Sequence, residues 1–171
     1  MTEDLHTLTR AAHIALGSAG FLLGALATLL PKFGRRARPH RLVGRLYGVS
    51  MLSMGVLSIP LALRQGDLFL LVIGVLTLGW VAVGWGAIRR VRRAATPAGR
   101  ERLLGLHINT MGSSYIAAWT AFLVNVEPLG AGSGLFWLYA LGPSLVGSVL
   151  IARGIRRQAR LSVKPLPSPV P

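Results

Sequence analysis

The stretch LFLLVIGVLTLGWVAVGWGAI, Leu68–Ile88, carries no charged side chain and is fenced by Asp67 before it and Arg89-Arg90 after it. The hydrocarbon core of a bilayer is about 30 Å thick, and a helix crosses it with about 20 apolar residues. The stretch shows no sustained alternation of apolar and polar residues, and it is about twice the length of a barrel strand. A helix that is apolar on every side also has no stable place in water. It reads as a membrane-spanning helix.

Four further stretches share this character: Ala11–Leu30, Leu42–Leu63, Leu103–Val126 and Gly134–Ala152. Turn-forming residues fall between spans at Gly66-Asp67, Pro97-Ala98-Gly99 and Pro128–Gly132. The fold class is therefore an all-α, polytopic bundle of five transmembrane helices over residues 1–153. A basic, proline-rich tail follows over 154–171, extended from Leu161 onward. The acidic start at Glu3 and Asp4 does not suit a cleaved signal, so the first span reads as retained.

Composition agrees. The chain has 171 residues, 52% hydrophobic and only 14% charged, against roughly 25% charged in soluble proteins. Its apolar content excludes intrinsic disorder. With no cysteine, disulfide frameworks and thiolate chemistry are excluded.

The net charge of +14 is distributed by topology. Of the 19 basic residues, all but Arg10 and Arg64 lie between spans one and two (extended to Arg45 at the start of span two), between spans three and four, or in the tail. Four acids, Glu3, Asp4, Asp67 and Glu127, lie on the opposite side. Basic residues stay in the cytoplasm, which predicts an outside N-terminus, an inside C-terminus and residence in a bacterial inner membrane. Arg35, Arg36, Arg38, Arg89, Arg90, Arg92 and Arg93 are then the residues expected to meet anionic lipid headgroups. Nucleic acid is not an expected partner, since no basic–aromatic interleaving accompanies the arginines.

Glycine stripes recur at Gly17, Gly20 and Gly24, at Gly44, Gly48 and Gly55, at Gly74, Gly79 and Gly84, and at Gly142 and Gly147. They suit close helix packing within the chain, or a stripe kept for a partner protein, a second copy or a flat cofactor. Pro143 is expected to kink the last helix.

Ionisable groups at membrane depth are candidate functional groups by default. His40 and His107 fall at a similar depth near the basic side, and His13 near the other. His40, Gly44, Tyr47 and Met51 share one face, as do His107, Met111 and Ser114 or Tyr115. Two imidazoles from facing helices can ligate a b-type haem, and a quinone head can hydrogen-bond His and Tyr. The plainer alternative has these histidines bonding backbone carbonyls, lipid phosphates or each other. Zinc is disfavoured because no carboxylate joins the inner pair. No nucleophile elbow, H-E-x-x-H or Walker loop is present. The chain thus reads as a non-enzymatic component of a larger membrane assembly, or as a haem- or quinone-binding protein.

The pattern His13-x-x-x-Gly17, with His40-Arg-x-x-Gly44-Arg-x-Tyr47 and His107-x-x-x-Met111-Gly-x-x-Tyr115, resembles a family of small bacterial membrane proteins classed as a domain of unknown function. The resemblance runs over roughly residues 10 to 126. It implies a helical inner-membrane protein and picks out His13, His40, His107 and Tyr115, without implying an activity.

Overall fold

The computed structural model describes residues 2–32, 37–126 and 134–162. These form five helices: α1 (Glu3–Leu29), α2 (Arg38–Gln65), α3 (Leu68–Val91), α4 (Pro97–Val126) and α5 (Gly134–Ser162). No strand occurs among the described residues. Arg35, Arg36, Glu127, Pro128–Gly132 and the prolines of the tail lie outside them. Leu161 and Ser162, expected to open the extended tail, instead close α5.

The ends follow local chemistry. Thr2 caps α1, its side chain accepting from the Leu5 N–H. Gly66 ends α2 in the left-handed region at φ 65°, which a glycine adopts without strain. The next residue, Asp67, caps α3 by accepting from Leu70 N at 2.9 Å. Pro97-Ala98-Gly99, expected to separate two spans, forms the first turn of α4 instead. The missing N–H of Pro97 costs nothing at that position, and Thr96 accepts from Gly99 N at 3.1 Å.

Neighbouring helices run antiparallel, as their contacts count out. Gly17 on α1 faces Met54 on α2, Gly20 faces Met51, and Gly24 faces Tyr47. Gly48 faces Trp85 on α3, and Gly55 faces Leu78. Gly112 on α4 faces Ile151 on α5, and Gly147 faces Ile116. Helices α1 to α4 close a four-helix bundle, with α1 meeting α4 more loosely than the sequential pairs meet. Helix α5 packs on α4 outside it. This arrangement collects the basic residues of α2, α3, α4 and α5 at one end of the bundle. At the other end Arg64 pairs with Glu3.

In hydrocarbon no water is squeezed out when helices meet, so they associate by close contact and by hydrogen bonds. The glycines supply the contact. A Cβ on Gly24 would stand 2.5 Å from Cε2 of Tyr115, and one on Gly20 2.8 Å from Sδ of Met51. The buried centre is Tyr47, Met51, Val81 and Ala118. Large aliphatics point outward, as on α5, where Leu145 is 70% exposed.

Four of the helices are long and apolar enough to cross a membrane, and α4 is not among them. Its polar residues explain the difference. Thr110, Ser114 and Thr120 are buried, because α4 contacts α1, α3 and α5 and presents these side chains to protein.

Substituting Gly24 by valine is expected to cost about 1–3 kcal/mol of stability through overpacking. Gly79 has nothing within 4 Å of a would-be Cβ, so Gly79→Ala should leave the melting temperature within a degree or two. Thermal unfolding of the detergent-solubilised chain followed by circular dichroism reads both.

Candidate functional site

The two diagonal helices α2 and α4 run in the same direction, and one hydrogen bond fixes their register. The Tyr47 hydroxyl lies 2.8 Å from Ser114 Oγ. Ser114 donates its own proton to the Met111 carbonyl at 2.8 Å, so Tyr47 is the donor to Ser114. Tyr47 is fully enclosed in the bundle. Seven residues earlier on each helix stand His40 and His107. Two helical turns are about 10 Å, so both histidines lie at one level, toward the basic end.

Each imidazole is held by a carbonyl of the neighbouring helix. His40 Nδ1 lies 2.9 Å from Ala27 O on α1, and His107 Nδ1 lies 3.0 Å from Gly84 O on α3. A carbonyl only accepts, so Nδ1 carries the proton and donates in both. Each neutral ring then keeps its lone pair on Nε2, the arrangement found in metal-ligating histidines.

One turn along α2 from His40, the half-buried Gly44 has no heavy atom within 4 Å of a would-be Cβ. Further along that helix Gly48 and Gly55 are filled by Trp85 and Leu78. Open space therefore lies beside Gly44, one helical turn from His40. Lys32, just past the end of α1, has Nζ donating to Thr28 O at 2.5 Å and to Leu30 O at 3.4 Å. Burial, and then the charge of Arg157, holds the Lys32 ammonium below its ordinary range. No acid pairs with Lys32 among the described residues.

The other expected site residues divide between this level and elsewhere. Tyr115 donates to Phe21 O of α1 at 3.1 Å and meets the Tyr47 ring edge-on at 6.2 Å. Met111 packs its sulfur against Gly84. His13 is not brought to the pair. Its Nδ1 donates to Met54 O at 3.2 Å and ties α1 to α2 near the acidic end. Arg38, Arg89, Arg90, Arg92 and Arg93 are exposed at the basic end, with Arg89 over the Trp85 ring at 5.7 Å. Among the described residues no cluster of three or more metal-ligating side chains is present.

Sequence reasoning missed Phe21, which joins Tyr115, Trp119 and Phe122 in one aromatic cluster, with ring centres 4.9 Å apart for Phe21 and Trp119. These rings fill the α1–α4 seam and account for its loose backbone packing. One phenylalanine among many apolar residues gives no signal of such a role. Missed too was a cavity of about 200 Å³ between α3, α4 and α5. Its signal was legible, as serines and a threonine at helical spacing.

The chain belongs to the family described as "Predicted membrane protein (DUF2306)", whose model matches residues 10–152. The match therefore continues past the region of resemblance and into α5. No curated relative and no solved structure matches the chain.

In a double-mutant cycle, Tyr47→Phe and Ser114→Ala should be non-additive, with a coupling of about 0.5–1.5 kcal/mol measured by chemical or thermal unfolding. Simple additivity would mean that the bond does not set the register.

Proposed function

We propose that this membrane protein acts by binding, as a non-enzymatic component, and that the ligand of its histidine level is a b-type haem held by His40 and His107. The observation that carries the reading is the paired histidines, each with Nδ1 committed to a carbonyl and Nε2 left with its lone pair. Two imidazoles from the diagonal helices of a four-helix bundle are a donor set that haem iron takes. When bound, the iron takes up and releases single electrons.

The chain's own residues do the rest. The Ala27 and Gly84 carbonyls fix ring orientation and raise the basicity of Nε2. The open space at Gly44 leaves room for a flat ring near the backbone. Lys32 and Arg157 place positive charge at the basic end of the bundle, suited to the carboxylates of such a cofactor. The tyrosine layer of Tyr47 and Tyr115 closes the site toward the bundle centre.

A second reading, an accessory subunit of a larger assembly, is favoured by α5. Among the described residues that helix packs chiefly on α4, and its Leu138, Leu145 and Val149 face outward. In both readings the chain sits in the bacterial inner membrane with its basic end in the cytoplasm, by the charge asymmetry.

Purification from haem-replete cells is expected to give a coloured protein with sharp Soret and α bands. His40→Ala or His107→Ala should abolish them while the helical circular dichroism persists, and His13→Ala should retain them. A colourless wild-type preparation ends the haem reading. For topology, a C-terminal green fluorescent protein fusion should fluoresce and a C-terminal alkaline phosphatase fusion should be inactive. The reverse pattern overturns the orientation.

A further inference from the structure

The cavity between α3, α4 and α5 is a cleft with a floor and two walls. Ala117 and Thr120 with Ser113 form its floor on α4, Trp80 lies on α3, and Ser144 and Ser148 lie on α5. Helices α3 and α5 flank α4 without packing closely on one another. Ser144 and Ser148 are exposed, so the cleft opens sideways at the outer surface of the bundle. Both lie well inside α5, Ser144 ten residues or about 15 Å from its first turn. The mouth therefore faces hydrocarbon rather than water.

Hydroxyls at that depth need an explanation, and Thr120 sharpens it. Thr9, Thr28 and Thr110 each return their hydroxyl proton to the carbonyl four residues earlier. The Thr120 side chain does not. It is 8% exposed, and its Oγ1 is buried without a hydrogen-bond partner. A buried donor left unpaired in an apolar surround costs free energy, and rotation about the Thr120 Cα–Cβ bond, bringing the hydroxyl to a ligand oxygen in the cleft, would relieve that cost.

The lining defines the ligand. It holds no charged side chain, so the ligand is uncharged. Its polar side chains are those of Ser113, Thr120, Ser144 and Ser148, hydroxyls able to donate, which suits carbonyl oxygens that only accept. Trp80 adds an aromatic wall, which suits a flat ring. The volume, about 200 Å³, is below the roughly 300–1,000 Å³ that encloses a whole drug-sized molecule. It holds a head and leaves a tail in the bilayer.

We propose that this cleft binds the ring of a lipid-dissolved quinone, with Thr120 donating to a quinone carbonyl. The inference does not depend on the histidine reading, because no residue of the cleft belongs to the His40–His107 level.

The test titrates the full chain in nanodiscs with decylubiquinone and follows tryptophan fluorescence. Saturable quenching is expected, and Trp80→Phe should remove most of its amplitude. Thr120→Val should weaken binding roughly three- to tenfold. The same variant should melt no lower than wild type without quinone, because the hydroxyl it removes is unpaired. Ala117→Leu, which fills the floor, should abolish saturation. His40→Ala and His107→Ala should leave it unchanged, which separates this site from the haem reading. Farnesol, a lipid alcohol without a ring, should not compete. The proposal is overturned by quenching that rises linearly without saturation, by equal affinity in Thr120→Val and Ala117→Leu, by loss of saturation in the histidine variants, or by displacement with farnesol.

Discussion

Hydrocarbon offers a chain no hydrogen-bond partners and no hydrophobic reward for association, and the rest of this structure follows from that solvent. Each backbone polar group must be satisfied within its own helix, which is why five long helices account for nearly all the described residues. What holds the helices together must be contact and polar bonding. Contact comes from notches: Gly20 and Gly24 admit Met51 and Tyr115, and Gly112 admits Ile151. Gly44 and Gly79 have no such neighbour. The notches at Gly17, Gly20, Gly24, Gly48, Gly55, Gly74, Gly84, Gly112 and Gly147 are filled by side chains of the same chain, an intramolecular use of those positions.

Polar bonding is distributed in layers along the bundle. Near the acidic end His13 ties α1 to α2. At the centre Tyr47 and Ser114 bridge the diagonal, and Tyr115 reaches the α1 backbone at Phe21. Toward the basic end His40 and His107 tie α2 to α1 and α4 to α3. These bonds make the plainer expectation for the histidines, bonding to carbonyls, part of the structure. That bonding does not compete with ligand binding. It uses Nδ1 and orients the ring, and it leaves Nε2 as the nitrogen that a ligand would meet.

Much of this was legible in the sequence. The uncharged run Leu68–Ile88 announces α3 almost to the residue, and Gly66-Asp67 marks its start, because an αL cap and an Asx cap each demand particular side chains. The shared level of His40 and His107 follows from their placement in two parallel spans. Other features required three dimensions. Composition makes a span of Leu103–Val126, yet α4 is too polar to pass as one on hydropathy alone, because hydropathy cannot tell a serine facing lipid from one facing Tyr47. Pro97 reads as a breaker until its position at the first turn of a helix is known. The seam of Phe21, Trp119 and Phe122 joins residues about a hundred positions apart, and nothing local encodes it.

The position of α5 gives α4 its unusual composition. A four-helix bundle of α1 to α4 alone would leave one face of α4 toward lipid, and that face carries Gly112, Ser113, Ile116 and Thr120. By packing along it, α5 fills the Gly112 notch with Ile151 and lends its own Gly147 to Ile116, so α4 becomes an interior helix on both sides. It can then carry polar groups in two directions. Thr110 and Ser114 face the bundle, where intrahelical carbonyls and Tyr47 satisfy them. Ser113 and Thr120 face the cleft that α5 does not fill. Full closure of α5 against α3 would have buried Ser144 and Ser148, adding two hydroxyls to enclosed protein. The cleft is thus the place where the fifth helix stops short of closing the structure, and it is where Thr120 keeps a donor unspent.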